Sequence, residues 1–152
     1  MKTRLILIAI PLLLLTNCGN PKNLNITENS TIAKTENTKG LDLFKQNCYT
    51  CHSVTTNSHD EIIAPPMIAI KRRYLKTHST KQDFVNAMVS YTSDPKAENA
   101  LMLGAINKFN VMPKQDFNKE DLSKIANYIY DNEIESPEWF ETHFQNNHTR
   151  KN

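Results

Sequence analysis

The chain has 152 residues, 39% of them apolar and 22% charged, with three Gly and three Cys; this allows one compact domain plus some tail and excludes a large multidomain enzyme. The formal charge is +2, and without Lys2 and Arg4 the balance is 16 Lys and Arg against 16 Asp and Glu, so the basic field of a nucleic-acid binder is missing. Cysteines at 18, 48 and 51 cannot build a multi-bridge disulfide framework, so stability must come from a core, a metal or a cofactor.

Residues 1–17 have a short basic start, an apolar run over 5–15 and then Thr16-Asn17-Cys18, the three-part order of a secretory signal. The run is interrupted by Pro11 and is too short to span a bilayer. Leu15-Thr16-Asn17-Cys18 resembles the lipobox of bacterial lipoproteins, with Asn17 in place of the usual small residue. That resemblance implies cleavage before Cys18 and acylation of Cys18. It places the protein at the bacterial cell envelope, held to a membrane with its domain in the periplasm or facing outward. An ordinary cleaved signal with an incidental Cys is the alternative. Acyl chains contribute about 0.8 kcal/mol per buried CH₂, so two or three of them make an almost permanent anchor. Residues 18–39 are rich in Asn, Thr and Lys, with isolated Leu24, Ile26 and Ile32 and no sustained period. They read as a disordered, flexible tether with an r.m.s. reach of about 25 Å.

The domain is expected over residues 40–133. Leu41, Phe44 and Cys48 share one helical face, which predicts a short helix ending at Cys48. A further short helix is expected near 68–75. Thr80-Lys81-Gln82-Asp83 has capping-box spacing, with Asp in place of Glu, and opens a helix with Phe84, Ala87, Met88 and Tyr91 on one stripe. Asp94-Pro95 gives an N-cap followed by Pro at the first helical position and predicts a helix to about 108. Lys119-Glu120-Asp121 with Leu122, Ile125, Ala126 and Ile129 makes a strongly amphipathic helix to about 131. Residues 134–152 form an extension in which Ser136-Pro137 signals one short helix bearing Trp139, Phe140 and Phe144, expected to pack on the domain. No run alternates with period two, so the fold class is all-α, with four to five short helices. Such a domain has few large aliphatics for its size, and something apolar should fill its centre.

Cys48-Tyr49-Thr50-Cys51-His52 is the C-x-x-C-H signature of c-type haem attachment. Two Cys three apart on a turn can each form a thioether with one haem vinyl group, and the adjacent His then faces the iron. A thioredoxin-like pair would need a βαβ context, and a zinc site would need a second Cys/His pair. Neither is present in the sequence. The expected cofactor is one covalent haem c.

Over residues 40–131 the chain resembles class I cytochromes c. Gly40 and Phe44 match the family's small residue and aromatic before the first Cys, and Tyr128 looks like the C-terminal-helix aromatic that packs on that small residue. The resemblance implies that Pro65 accepts a bond from the ring N–H of His52, although Ala64 stands where relatives carry Gly. It also implies that Arg73 holds a haem propionate. Asn110-Val111-Met112-Pro113 resembles the family's Met-Pro, which makes Met112 the second axial ligand opposite His52. Met67, Met88 and Met102 compete: Met88 lies on a core stripe, Met102 falls within an expected helix, and Met67 sits beside the proximal Pro. His59 and His78 are the fallback for bis-His ligation.

Ligation by His and Met leaves no open position for substrate, so the expected role is electron carriage, without enzymatic activity, between a redox donor and a redox acceptor of a respiratory chain. A monomer is expected. The alternatives are an electron-input subunit of a larger redox enzyme and, more remotely, a haem-based ligand sensor. Leu101, Ile106, Phe109, Phe117 and Leu122 are candidate pocket walls. Lys71, Arg72, Arg73, Lys76 and Lys81 form a basic stretch without acids, and residues 116–141 are acidic, so either a dipole for partner steering or ordinary solvated helix faces result.

Overall fold

The computed structural model describes residues 24–149. Among them are six α-helices and no strand: α1 (Leu24–Cys48), α2 (Met67–Thr77), α3 (Lys81–Ser93), α4 (Leu103–Phe109), α5 (Lys119–Asp131) and α6 (Phe140–Thr149). The fold is all-α as expected: α1 to α5 are the helices of the domain, and α6 is the short helix expected in the extension. The signal segment and Cys18 lie outside the described residues.

α1 starts well before Gly40, so the part of the expected tether from Leu24 to Lys39 is helical. The missing period was nevertheless informative, because every side chain over 31–39 is exposed. A helix nucleated by the packed stretch around Phe44 costs little to extend, since each added residue gains a hydrogen bond for one residue fixed. Local bonds assist: Thr35 Oγ1 donates to the Thr31 carbonyl at 2.9 Å and Thr38 Oγ1 to the Lys34 carbonyl at 3.0 Å.

α2 follows Pro65-Pro66, whose fixed φ suits the approach to a helix. Pro66 is the N-cap, and its carbonyl accepts the Ala69 N–H at 2.9 Å. α3 is capped as its sequence predicts, with Thr80 Oγ1 accepting the Asp83 N–H at 3.1 Å. Asp83 reaches back to the Thr80 hydroxyl, at 2.7 Å, which substitutes for the longer reach of Glu.

The helix expected over 94–108 is broken. Asp94 is the C-cap of α3, its N–H bonded to the Ser90 carbonyl, and its carboxylate is engaged by Lys96 at 2.8 Å and Lys114 at 3.6 Å instead of capping a new helix. A single 3-10 turn covers Ala97–Asn99, Ala100 is extended, and helix resumes only at Leu103. α5 has the expected bounds; Asn118 accepts the Glu120 N–H at 2.7 Å, and Glu120 and Asp121 complement the N-terminal dipole.

α5 packs on both α1 and α3. The buried core joins Phe44 from α1, Met67 and Tyr74 from α2, Phe84, Val85 and Met88 from α3, and Ile125, Ala126 and Ile129 from α5. Phe84 meets Tyr74 and Tyr130 edge-on, with ring centroids 5.8 and 5.2 Å apart. Burying side chains of this size stabilises by roughly 1.5–3 kcal/mol each. At the α1–α5 crossing Gly40 is buried, and a Cβ there would lie 2.7 Å from Tyr128 Cβ and 2.8 Å from the Lys124 carbonyl. Gly40 is thus a point of close approach, with Tyr128 as its partner.

Candidate functional site

α1 ends at Cys48, and the chain turns tightly at once: the N–H groups of Cys51 and His52 donate to the Cys48 carbonyl at 3.3 and 2.9 Å. That turn brings the two Cys and His52 together at the end of a helix whose Phe44 and Gly40 are anchored in the core. Cys48 is half-buried and Cys51 exposed. Burial pushes the Cys48 thiol up to about 12, and Cys51 adds to the rise. A redox-active C-x-x-C pair requires the opposite shift, a thiol drawn down toward neutrality. Among the described residues no cluster of three His, Cys, Asp or Glu is arranged for a metal ion either, so a zinc site lacks its remaining ligands.

His52 Nδ1 lies 2.7 Å from the Pro65 carbonyl oxygen. A carbonyl only accepts, so the proton is on Nδ1 and the lone pair is on Nε2, the atom available to a metal. Burial lowers the pKa of the imidazole below its ordinary 6.5, with the Pro65 bond opposing part of that shift, so the ring is neutral at neutral pH. The two prolines fix this acceptor, because neither can donate and Pro66 is committed to the start of α2.

Met112 stands on the segment between α4 and α5. Asn110 ends α4 with φ 65°, a left-handed conformation that Asn tolerates better than most residues. Pro113 then keeps Met112 out of helical geometry. Met112 is half-buried, and its backbone lies by Tyr91, whose pKa is raised by burial and lowered in part by that neighbouring backbone. The Met112 loop thus runs beside α3 at Tyr91. Met67 and Met88 are both in the core. Met102, expected inside a helix, is instead the N-cap of α4, in an irregular conformation and half-buried.

Of the fallback histidines, His59 is engaged elsewhere. Its ring stacks on His143 at 4.1 Å, and Lys108 Nζ donates to its Nδ1 at 3.1 Å. His78 is the C-cap of α2, and its Nε2 is buried with no hydrogen-bond partner. Arg73 is exposed, and its Nε donates to the Leu101 carbonyl at 2.9 Å, leaving the two terminal nitrogens of its fork.

The C-terminal extension is more tightly built in than its sequence suggests. Phe140 is buried, and Trp139 Nε1 donates to the Thr56 carbonyl at 3.0 Å. The Arg72 guanidinium lies 5.1 Å from the Phe140 ring and 4.8 Å from the Phe144 ring, and it pairs with Glu141. The spacing of Trp139, Phe140 and Phe144 signalled packing. Nothing in it signalled Thr56 and Arg72 as the receiving groups.

An all-α domain with C-x-x-C-H on the turn after a helix, a neutral imidazole in a fixed tautomer and a soft thioether on a distant loop has the donor set of a covalent haem. It defines a c-type cytochrome, a class whose work is electron transfer. The Cytochrome c-550 domain family matches residues 20–146, most of the chain, and the chain belongs to that family. Its cofactor is covalently bound haem c. No curated protein and no solved structure matched the chain.

Proposed function

We propose that this protein is a membrane-tethered monohaem cytochrome that carries single electrons between respiratory partner proteins at the bacterial cell envelope, as a monomer. In this reading Cys48 and Cys51 carry the two thioethers, His52 Nε2 and the Met112 sulfur are the axial ligands, and Arg73 meets a haem propionate with the free end of its fork. The observation that carries it is the 2.7 Å bond from His52 Nδ1 to the Pro65 carbonyl, which orients the ring and raises its donor strength. Ligation on both faces leaves no position for a substrate, which favours electron transfer over bond chemistry. Among the described residues no helix is long and apolar enough to cross a membrane, so attachment in this reading depends on acylated Cys18.

Optical and low-temperature EPR spectra of both redox states test the ligand set. A Met-sulfur charge-transfer band in the ferric protein is expected. The second reading is bis-His ligation by His78, favoured by its buried, unpartnered Nε2. A ferric spectrum without the Met band, which turns high-spin on His78→Ala, would replace the first reading with the second.

A further inference from the structure

One cavity, of about 430 Å³, brings together Pro65, Arg73 and Phe109, three residues placed at the haem by the readings above, and Trp139, Phe140 and Phe144 of the C-terminal extension. The extension follows the expected domain in sequence, yet it supplies one wall of this space. Three contacts hold it there. Trp139 Nε1 donates to the Thr56 carbonyl at 3.0 Å, the His143 ring stacks on His59 at 4.1 Å, and Arg72 lies against the Phe140 and Phe144 rings while pairing with Glu141. Thr56 and His59 stand on the loop between His52 and Pro65, and Arg72 stands on α2, which Pro66 begins. The extension is therefore tied to both segments that flank the His52–Pro65 bond.

We propose that the C-terminal extension is a lid on the haem cleft, which excludes water from the end where Arg73 stands and so holds the reduction potential above that of an open cleft. The proposal deepens the reading above and rests on it for the place of Arg73. Its physical basis is solvation: oxidation adds one positive charge, water stabilises that charge, and an apolar wall in place of water favours the reduced state. Phe140 and Phe144 supply such a wall, and Phe140 is itself buried. Arg72 is offset by Glu141 where the lid meets α2, so that contact adds no net charge and the lid acts there by keeping water out.

The test combines NMR and redox titration of the holoprotein. The chain has one Trp, so the indole N–H of Trp139 is identified at sight. Unpaired spin on ferric iron shifts nearby nuclei by an amount that falls with the cube of distance, so the indole N–H and the α6 amides should move between the ferrous and ferric states. Phe140→Ala and Phe144→Ala each remove part of the apolar wall without changing charge. Each should speed amide exchange in α6, reduce the redox-dependent shift of the indole, and lower the potential. The expected fall is about tenfold in the ferrous-to-ferric ratio, or about 59 mV for a one-electron couple. Phe144 is only half-buried, so its variant carries the test where Phe140→Ala does not fold. Ile32→Ala removes an exposed apolar side chain from α1 and should change none of the three. An indole N–H that stays still between redox states, α6 exchange that neither variant speeds, or an unchanged potential in a variant whose α6 exchanges faster each overturns the proposal. The optical spectrum of the same samples reports the axial ligands, so a failure of the ligand reading shows there and is distinguished from a failure of the lid.

Discussion

Adding one methyl group at Gly40 probes the α1–α5 crossing that holds the Cys48–His52 turn in place. No Gly has positive φ among the described residues, so Gly40 is needed for space and not for backbone conformation. In an open helix Gly→Ala would stabilise by about 1 kcal/mol. Here the new Cβ would stand 2.7 Å from Tyr128 Cβ and 2.8 Å from the Lys124 carbonyl. Carbon contacts are optimal at about 3.5–4.0 Å, so the helices must separate by roughly 1 Å. The Lys124 carbonyl is backbone and cannot swing aside. Overpacking of this kind costs about 1–3 kcal/mol, which exceeds the propensity gain at most of that range. The expected net is a loss of up to about 2 kcal/mol, read as a lower denaturant midpoint of the holoprotein at unchanged m. Gly104 is the internal control: a Cβ there meets nothing within 4 Å, and Gly104→Ala should add up to about 1 kcal/mol of stability, read as a higher midpoint at unchanged m. Gly40→Ala at or above wild-type stability, or a loss at Gly104 equal to that at Gly40, would refute the close-approach reasoning.

Met112→Ala should leave a folded protein with covalent haem whose ferric spectrum lacks the Met-sulfur band and whose iron binds CO, while Met88→Leu in the core should cost under about 1.5 kcal/mol; a native spectrum in Met112→Ala would remove Met112 from the site. Docking of α6 should weaken in acid. Burial, then the charges of His59 and Lys108, lower the pKa of His143 from 6.5, with Asp60 opposing, so the docked state binds fewer protons; stability is full above that value and falls as pH drops to the lowered one. Faster amide exchange in α6 at pH about 5.5 than at 7.5, after correction for the intrinsic rate and flattened by His143→Gln, checks this. Cys18→Ser should release the protein from membranes with haem attached; an unchanged detergent requirement, with no acyl mass on the N-terminus, would defeat the anchor.

Local chemistry made much of the fold legible. The Thr80/Asp83 cap and the bounds of α5 follow from side chains that act within four residues, and the close pair Gly40–Tyr128 follows from the scarcity of Gly in the folded region. The 94–108 segment failed because Asp94 carries a cap signal that ion pairs with Lys96 and Lys114 override, and Lys114 lies beyond the stretch a local reading weighs. The upstream part of α1 failed for the opposite reason: an exposed helix with no buried face leaves no period to read. At the site, the His52–Pro65 bond was anticipated through family likeness, whereas the nearness of Tyr91 to Met112 was not. Tyr91 shares the stripe of Phe84 and Met88, and a hydroxyl at the end of a core stripe looks the same whether or not a loop runs beside it.

The charge pattern shows how far the order of residues can mislead. In sequence the basic stretch of 71–81 and the acids of 116–141 look like the two ends of a dipole. In the fold they close on each other: Lys81 pairs with Asp131 at 2.6 Å, Arg72 pairs with Glu141, and Lys71 donates to the Asn132 carbonyl. From α1, Lys45 reaches Glu135 at 3.3 Å, and Asn37 exchanges hydrogen bonds with Asn132 at 3.1 and 2.7 Å. Each exposed pair contributes about 0–1 kcal/mol, too little to drive folding. Together, though, they fix the course of 131–141 across α1, α2 and α3, which delivers Trp139 to Thr56 and His143 to His59. Pairing offsets the charges of Arg72 and Lys81, while Lys76 and Lys108 have no ion-pair partner among the described residues.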